Sequence, residues 1–503
     1  MTGKVYLVGS GPGGIDYLTV RARRVIETAE VLLYDDLVDR EILGLATGIE
    51  SIDVGKRAGA ASFDQSQICR LLVEHCRAGR QVVRLKSGDP LIFGRALSEL
   101  EALKEAGCPF EVVPGISTAL GAPLFAGIPL TEAHLSQCFA VLSGHDLLTL
   151  PWPQLSRIDT LVVLMGTRNL GQIAERLMDC GRPPSMPVAV VCRAGRPQQR
   201  TVFGTLETIA EQMQACPNPT PAVIVVGPVV RHGERLNWFE NRPLSGRTIL
   251  VTRSAEQASD FSHLLTSQGA GVLEMPALVV SAPSSWDALD RAISRIGAYR
   301  WLILTSTNGV EAFFARLHHH HLDLRALGGV RVAVVGPKTA RVAADRGLVA
   351  DFIPGSYDAE GMLAEFPDRN GLAGAQVLFV RVEAGGREAI TRQLQTWGAL
   401  VDEVAGYATV CPERADPSAL LALRTGQIDC VTFASSKTVR HFVSLVQSDL
   451  RFLEGVRIAS IGPQTSQTCR EHFGRVDIEA ASYTLAGLGE AIVTYFDQKT
   501  HYV

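Results

Sequence analysis

The sequence predicts an α/β protein made of two successive halves, and three observations support that fold class. Short β-branched runs alternate with helical stretches through the first 240 residues, which is typical of α/β folds with buried strands. A polar, irregular segment interrupts this alternation at residues 228–247. Beyond it, three sequence patterns recur in the same order, which predicts two similar lobes.

The first half contains a series of short apolar segments that are the candidate strands. Each is rich in β-branched or other apolar residues over a length typical of a strand. In chain order they are KVYLVG, VLLYD, SIDVG, QVVRLKSGDP, FEVVPG, FAVLSG, TLVVLMG, PVAVVCRA and AVIVVG.

The irregular segment places the domain boundary. We predict a first domain at 1–240, a linker at 241–246 and a second domain at 247–503. The repeat lies in the second domain, and a cleft between two lobes is the default place for a ligand. The matched positions are Arg253 with Arg381, Ser306 with Ser435 and Thr339 with Thr465.

Composition excludes several classes of protein. The 503 residues are 46% hydrophobic and 20% charged with a net charge of −4, so we expect a globular protein that binds neither nucleic acid nor an anionic membrane surface as a whole. The ten cysteines never form C-x-x-C, which favours a reducing cytoplasm over a disulfide framework. Residues 112–131 are uncharged, but their prolines and glycines favour a strand, a turn and a short helix over a membrane span.

A glycine-rich turn, VGSGPGG, directly follows the first candidate strand. Its spacing and Pro12 fit the dinucleotide-binding fingerprint poorly, so a nicotinamide dehydrogenase is a weak alternative. The turn is either purely structural or lets the backbone approach a nucleoside ligand.

Charged side chains follow three candidate strands of the first half. The carboxyl ends of parallel strands meet at one edge of a sheet, so these groups would gather there. Acids and bases together suit a polyanionic substrate that also undergoes proton transfer. Each residue taken alone could instead simply lie in a solvated turn or cap a helix. They are Asp35, Asp36, Lys56, Arg57, Lys86, Asp89 and Arg95.

Eight short motifs of residues 3–240 together resemble the uroporphyrinogen-III C-methyltransferases, members of the S-adenosylmethionine-dependent tetrapyrrole methylases. In order they are GSGPGG, YDDLV, VGKRAG, RLKSGDPLIFGR, VVPGIST, AGIPLT, LVVLMG and RLNWF. The resemblance implies the two-lobed tetrapyrrole methylase fold, a homodimer formed through this domain, and no metal.

The resemblance also assigns roles. It implies that Asp35 is the proton acceptor and that Lys56 is the proton donor. The macrocycle bears eight carboxylates, which the cations Lys56, Arg57 and Arg95 could help to hold. Small residues and backbone dipoles suit a methyl group carried on a sulfonium. The residues implied to surround S-adenosylmethionine are Pro12, Ser87, Gly88, Asp89, Ile92, Ser117, Thr118, Met165 and Ala194.

The second half places hydroxyl and amide side chains at strand-to-helix turns. Each could be an ordinary helix N-cap, yet helix N-termini also bind anions, so the turns of both lobes could hold several carboxylates. The candidates are Ser306, Asn308, Thr339, Ser435, Ser436 and Thr465. The run His318 to His321 falls on a predicted helix, where consecutive side chains diverge too far to share one metal ion.

Residues 246–500 resemble the uroporphyrinogen-III synthases through LVTRS, LTSTNGV, AVVGPKTA, FVRVEAGGRE, GYATV, FASS and SIGPQTS. The resemblance implies two α/β lobes, at about 246–276 plus 408–503 and at 279–404. It also implies that Tyr407 assists departure of a hydroxyl, although an ordinary aromatic at a strand end is the alternative.

Together the two resemblances imply a cytoplasmic bifunctional enzyme. It would close hydroxymethylbilane to uroporphyrinogen III and then methylate that product twice to precorrin-2, on the route to sirohaem or cobalamin. Two alternatives stay open: the second half could be a non-catalytic tetrapyrrole-binding module, or the methylase could act on a later corrin intermediate.

Overall fold

The computed structural model describes residues 3–46, 48–55, 63–216, 219–253, 255–356, 359–384, 388–447 and 449–500. The chain divides into two compact units. The first comprises Met1–Ile249, His263–Val272 and Ile492–Val503, and the second comprises Leu250–Ser262 and Leu273–Ala491. The predicted α/β fold class is confirmed, and the described residues form four sheets of five strands.

The first sheet is parallel, with strand order β3-β2-β4-β1-β5. Its strands are β1 (Lys4–Gly9), β2 (Val31–Tyr34), β3 (Glu50–Asp53), β4 (Gln81–Lys86) and β5 (Phe110–Val113). The accompanying helices are α1 (Val20–Glu27), α2 (Arg40–Leu43), α3 (Gln65–Arg77), α4 (Ala96–Glu105) and α5 (Thr118–Phe125). Apolar clusters cover both faces of the sheet, as a parallel sheet requires.

The second sheet is mixed, with strand order β6-β7-β10-β8-β9. Its strands are β6 (Phe139–Ser143), β7 (Thr160–Leu164), β8 (Pro187–Cys192), β9 (Arg200–Thr205) and β10 (Ala222–Val226). The helices are α6 (Trp152–Leu155), α7 (Leu170–Asp179), α8 (Ile209–Gln214) and α9 (Val230–Leu236).

All nine candidate strands are present, but the sequence analysis missed β9. This strand lies at the edge of the second sheet and its residues are at most half-buried. Because Arg200, Thr201 and Gly204 interrupt its apolar residues, it lacks the continuous hydrophobic run that marks a buried strand.

Two further sheets contain the remaining strands. They are β11 (Thr248–Val251), β12 (Gly271–Glu274), β13 (Val279–Ser281), β14 (Trp301–Leu304), β15 (Arg331–Val334), β16 (Gln376–Val382), β17 (Leu400–Val410), β18 (Cys430–Phe433), β19 (Arg457–Ser460) and β20 (Ile478–Glu479). The helices are α10 (Ala255–Ser267), α11 (Asp287–Ser294), α12 (Thr307–His319), α13 (Pro337–Asp345), α14 (Ala359–Glu365), α15 (Glu388–Thr396), α16 (Pro417–Arg424), α17 (Ser436–Leu445), α18 (Pro463–Phe473) and α19 (Leu485–Thr500).

The sequence repeat corresponds to three neighbouring strands in each of two sheets. One sheet runs β12-β11-β18-β19-β20 and the other runs β13-β17-β16-β14-β15. The repeated patterns align β11 with β16, β18 with β14 and β19 with β15, and these strands follow one another in the same order, as the second to fourth strands of one sheet and the third to fifth of the other. The expectation of two similar lobes in the second half is therefore confirmed.

The uncharged segment 112–131 forms the end of β5, a turn and α5, as the sequence predicts. Pro123 lies inside α5, which is only eight residues long. Within the described ranges, no helix combines the length and apolar character needed to cross a membrane.

Candidate active sites

Three glycines bring the ends of β1, β4 and β5 into backbone contact. An ideal Cβ on Gly9 would lie 2.5 Å from the Gly88 oxygen, and one on Gly115 would lie 2.3 Å from the same atom. Gly11 and Gly88 also exchange backbone hydrogen bonds of 3.2 and 2.9 Å, and Gly88 has a φ of +68°. Only glycine leaves room for this approach, which packs the ends of the three strands backbone against backbone at the carboxyl edge of the first sheet.

Several residues implied to bind S-adenosylmethionine surround these glycines. Pro12 packs against Gly121 of α5, since a Cβ on Gly121 would lie 2.9 Å from the Pro12 Cγ. Thr118 adjoins Gly88, and the buried Ser117 caps α5 by accepting a hydrogen bond of 3.3 Å from the Ala119 N–H. The structure therefore brings Pro12, Gly88, Ser117 and Thr118 together.

Asp89 stabilises the turn that follows β4. Its carboxylate accepts hydrogen bonds from the backbone N–H groups of Leu91 (2.9 Å) and Gly115 (3.2 Å). Ser87 is half-buried beside it, whereas the Ile92 side chain is 45% exposed. Asp89 thus ties the turn after β4 to the turn after β5, and its geometry suits a structural role at the edge of the site.

Ala194 and Met165 lie in turns that follow strands of the second sheet, β8 and β7 respectively. Gly13 packs on the turn that contains Ala194, because its ideal Cβ would lie 2.6 Å from the Gly195 oxygen. Met165 follows Leu164, which packs with Ala119 and Ala122 of α5 in one apolar cluster. The Met165 side chain is 54% exposed, so it is available to a ligand.

Strained backbone occurs in the turns that follow β4, β7 and β8. A φ between +51° and +55° occurs at the non-glycine residues Phe93, Arg95, Met165 and Arg193 of the first unit. A left-handed conformation costs about 1–2 kcal/mol for such residues and tends to cluster at functional sites. Met165 was predicted to bind a ligand, and Arg193 directly precedes Ala194. Arg95 is the exposed N-cap of α4.

Asp35 follows β2 and is paired with a buried arginine. Its Oδ1 lies 2.5 Å from Nη2 of Arg84, and its side chain is 32% exposed. Lys56 and Arg57 lie outside the described residues. Gly55, which directly precedes them, packs against Asp36, since its ideal Cβ would lie 2.4 Å from the Asp36 nitrogen.

Sequence reasoning missed Arg84 and Glu99 at this site. Arg84 and Lys86 lie on β4, and both donate hydrogen bonds to Oε1 of Glu99 on α4, at 3.3 and 2.9 Å. All three side chains are almost completely buried. One signal in the sequence could have indicated this buried cluster: two cations at alternate positions of an otherwise apolar strand, VVRLK.

In the second unit, Tyr407 and Ser306 form a hydrogen-bonded pair. Ser306 follows β14, caps α12 by accepting from the Gly309 N–H (3.1 Å), and donates to the Tyr407 hydroxyl at 3.0 Å. Tyr407 lies on β17, 101 residues away along the chain. Asn308 is half-buried in the first turn of α12. This end of the sheet therefore places a phenol beside a helix N-terminus.

The equivalent turns of the other lobe contain the remaining candidates. Ser435 is the N-cap of α17, and the Ser436 hydroxyl donates to the Gln464 carbonyl at 3.1 Å, so the starts of α17 and α18 meet. Thr465 on α18 and Thr339 on α13 are each 5% exposed. Both are third residues of their helices, whose N-caps are glycines.

A lysine connects helices that accompany the two sheets of the second unit. Nζ of Lys338, in the first turn of α13, lies 3.3 Å from the Asp260 carboxylate of α10. Both side chains are mostly exposed, so the ion pair contributes little to stability. It does place the start of α13 opposite α10.

The histidine run ends α12. His318 and His319 are its last residues, His320 follows as the C-cap, and Nε2 of His320 lies 3.1 Å from the Asp290 carboxylate. Across the described ranges, no group of three or more His, Cys, Asp or Glu side chains is arranged to hold a metal ion.

Comparison with known proteins identifies both halves. A family model described as tetrapyrrole (corrin/porphyrin) methylases matches residues 4–210, and one described as uroporphyrinogen-III synthase HemD matches residues 259–490. The "Porphyrin biosynthesis protein HemD" of Ruminiclostridium josui is 33% identical over 476 residues, which cover 93% of this chain and 94% of that protein.

Two shorter relatives each match one half. The uroporphyrinogen-III C-methyltransferase of Synechococcus elongatus is 52% identical over 232 residues, covering 46% of this chain and 95% of that protein. The uroporphyrinogen-III synthase of the same organism is 47% identical over 264 residues, covering 52% of this chain and 99% of that protein. The chain therefore belongs to the family of fused enzymes in which a uroporphyrinogen-III C-methyltransferase of the tetrapyrrole methylase type is joined to a uroporphyrinogen-III synthase.

Proposed function

We propose that residues 247–503 close hydroxymethylbilane to uroporphyrinogen III and that residues 1–240 methylate this product twice to give precorrin-2. The observation that carries the methyl transfer is the close backbone packing of Gly9, Gly88 and Gly115 at the carboxyl edge of the first sheet, with Asp35 at the end of a neighbouring strand. S-adenosylmethionine, when bound, supplies a methyl group on a positively charged sulfur. Small residues and backbone dipoles at the turns that follow these strands suit such a group.

In the proposed methyl transfer, Asp35 accepts a proton from the methylated macrocycle. The C–H bond breaks, an O–H bond forms on the carboxylate, and the electron pair returns to the conjugated ring system. Asp35 suits this role because a third of its side chain is exposed while one oxygen is held by Arg84. Lys56 as proton donor and Arg57 and Arg95 as carboxylate ligands are retained as proposals, and the exposed Arg95 is accessible to a polyanion.

In the proposed ring closure, Tyr407 donates its phenolic proton to the departing hydroxyl of hydroxymethylbilane. The C–O bond then breaks and water leaves with its electron pair. The pyrrole at the other end of the chain attacks the resulting cationic carbon to form the C–C bond, and the proton that this pyrrole loses returns to the Tyr407 phenolate. The hydrogen bond that Ser306 donates to the phenolic oxygen supports this role, because it leaves the phenolic hydrogen available for the substrate. Helix N-termini at α12, α13, α17 and α18 offer N–H donors for the substrate carboxylates, together with Asn308. Ser435 and Ser436 are retained as proposed substrate contacts at the start of α17.

We further propose that the first unit forms a homodimer. Its turn after β4 and the start of α4 expose Leu91 (60%), Phe93 (47%) and Leu97 (67%), which supports burial against a second copy. Light scattering at several protein concentrations tests this proposal. A monomer at every concentration would refute it.

One experiment tests both activities. The purified chain is given hydroxymethylbilane with and without S-adenosylmethionine, and chromatography resolves the uroporphyrinogen isomers and the methylated products. We expect the III isomer without the methyl donor and precorrin-2 with it. Accumulation of only the spontaneously formed I isomer would refute the synthase role, and unmethylated III isomer in the presence of donor would refute the methylation.

Variants separate the two sites. Asp35→Ala should abolish methylation and leave ring closure intact, whereas Tyr407→Phe and Ser306→Ala should slow only ring closure. Asp416→Ala is the matched control for Ser306→Ala, because Asp416 also caps a helix, α16, but does not contact Tyr407. If Asp416→Ala and Ser306→Ala slowed ring closure equally, the effect of Ser306 would be structural.

A further inference from the structure

A buried cluster of charges lies behind the proposed proton acceptor. Its members are Arg84, Lys86 and Glu99, whose side chains are 3%, 4% and 0% exposed. Arg84 and Lys86 project from the same face of β4 because they are two residues apart on one strand. Burying three ionised groups is costly unless they are paired and hydrogen-bonded.

The pairing within the cluster is uneven. Oε1 of Glu99 accepts hydrogen bonds from Arg84, Lys86 and Gln65, at 3.3, 2.9 and 3.1 Å. Its Oε2 is buried without a hydrogen-bond partner among the described residues. Burial, and next the neighbouring Arg84, lower the pKa of Lys86 below the ordinary value of a lysine. Apolar side chains in place of these three charged residues would avoid both the cost of burying ionised groups and the unpaired Oε2, so stability alone does not account for the cluster.

One member of the cluster reaches the edge of the sheet. Arg84 uses Nε for Glu99, Nη1 for the Leu85 carbonyl (3.1 Å) and Nη2 for Oδ1 of Asp35 (2.5 Å). The planar guanidinium therefore joins a fully buried carboxylate to a partly exposed one. Such a fork fixes the orientation of both partners, which a lysine at the same place could not do.

We propose that Arg84 is a positioning residue for Asp35. Glu99 and Lys86 hold the guanidinium of Arg84 in place, and Arg84 holds the carboxylate of Asp35 in the orientation that accepts the proton. Arg84 itself touches neither the methyl donor nor the macrocycle. The inference rests on the proposed role of Asp35 in methyl transfer and adds to it the device that orients the carboxylate.

The test is a double-mutant cycle on methyl transfer, measured in single turnover with enzyme in excess so that slow variants are quantified. The variants of the full chain are Arg84→Met, Asp35→Asn and the double variant. We expect Arg84→Met to lower the rate constant by about tenfold or more, because small errors in the placement of a reacting group are costly. The dissociation constants of donor and substrate should stay near those of the wild type.

The decisive result is the lack of additivity. If Arg84 acts through Asp35, then Arg84→Met should have no further effect in the Asp35→Asn background. An equal fold decrease of the rate constant by Arg84→Met in the wild-type and Asp35→Asn backgrounds would overturn the inference. A wild-type rate constant in Arg84→Met alone would also overturn it. Arg84→Lys should give an intermediate rate, because it retains the charge without the fork.

Arg182→Met controls for the removal of a buried arginine. Arg182 is 6% exposed, and its guanidinium donates to backbone carbonyls, including that of Ser156 at 3.1 Å. This variant should lose stability and keep the rate of methyl transfer. If Arg84→Met failed to fold, as judged by a loss of circular dichroism relative to the wild type, Arg84→Lys in both Asp35 backgrounds would replace it. Full activity of Asp35→Asn would overturn the proposed role of Asp35 as proton acceptor, whereas a defective Asp35→Asn with a fully active Arg84→Met would overturn only this inference.

Discussion

Gly115→Ala tests whether the closely packed turns at the carboxyl edge of the first sheet form the methyl-donor site. The new Cβ would lie 2.3 Å from the Gly88 oxygen and 2.7 Å from the Gly9 carbonyl carbon. Real Cβ atoms essentially never approach closer than 3.0 Å, so the turn after β4 must move by about 0.7 Å. Both neighbours are backbone atoms, so no side chain can rotate to absorb the overlap.

The displacement predicts the size of the effect. Overpacking of this kind costs about 1–3 kcal/mol of stability. Misplacing the wall of a site by nearly an ångström costs on the order of tenfold to a hundredfold in kcat/KM. We expect these losses in urea denaturation and in methyl-transfer kinetics respectively, with weaker binding of S-adenosylmethionine measured by calorimetry.

Gly171→Ala is the matched control. Gly171 lies inside α7 with only the Ala210 Cβ nearby, at 3.8 Å. The same substitution should there stabilise the protein by about 0.5–1 kcal/mol, because alanine is the better helix former. Donor binding by Gly115→Ala equal to that of the wild type would refute the assignment of these turns to the donor.

Three further predictions concern the second unit. Burial, and next the hydrogen bond to Asp402, raise the pKa of Tyr299 to about 12, so the stabilisation that the protonated phenol gives is present below pH 10 and is lost as the pH rises through 12. Tyr299→Phe should therefore reduce the fall of the thermal unfolding temperature over this pH range, and an unchanged fall would contradict the prediction. Ser435→Ala removes the N-cap of α17 and should cost about 1 kcal/mol in urea denaturation, whereas an unchanged midpoint would show that the cap is dispensable. Phe433→Ala removes a fully buried ring that packs edge to face on Phe442 and should lower the free energy of unfolding by about 3–5 kcal/mol. A smaller decrease than that of Ser435→Ala would contradict this packing argument.

Local patterns were enough to locate much of the candidate machinery. Asp35, Gly88 and Ser306 each follow an apolar run, and the chain places each at the end of a strand. A run of that kind must be buried, and the polar residue that ends it must lie at the edge of the sheet. The repeat in the second half predicted two similar lobes for the same reason, because equal patterns of burial build equal sheets.

Partnerships between distant residues were decided only by the tertiary structure. Arg84 meets Asp35 across 49 residues because β4 lies beside β2 in the sheet, and Ser306 meets Tyr407 across 101 residues. Strand order and helix packing depend on how whole apolar faces fit together, and no short segment carries that information. The sequence by itself determined which strand each candidate residue follows and which chemistry its side chain offers. The tertiary structure decided which side chains share a hydrogen bond, because that depends on contacts between segments that are far apart in the chain.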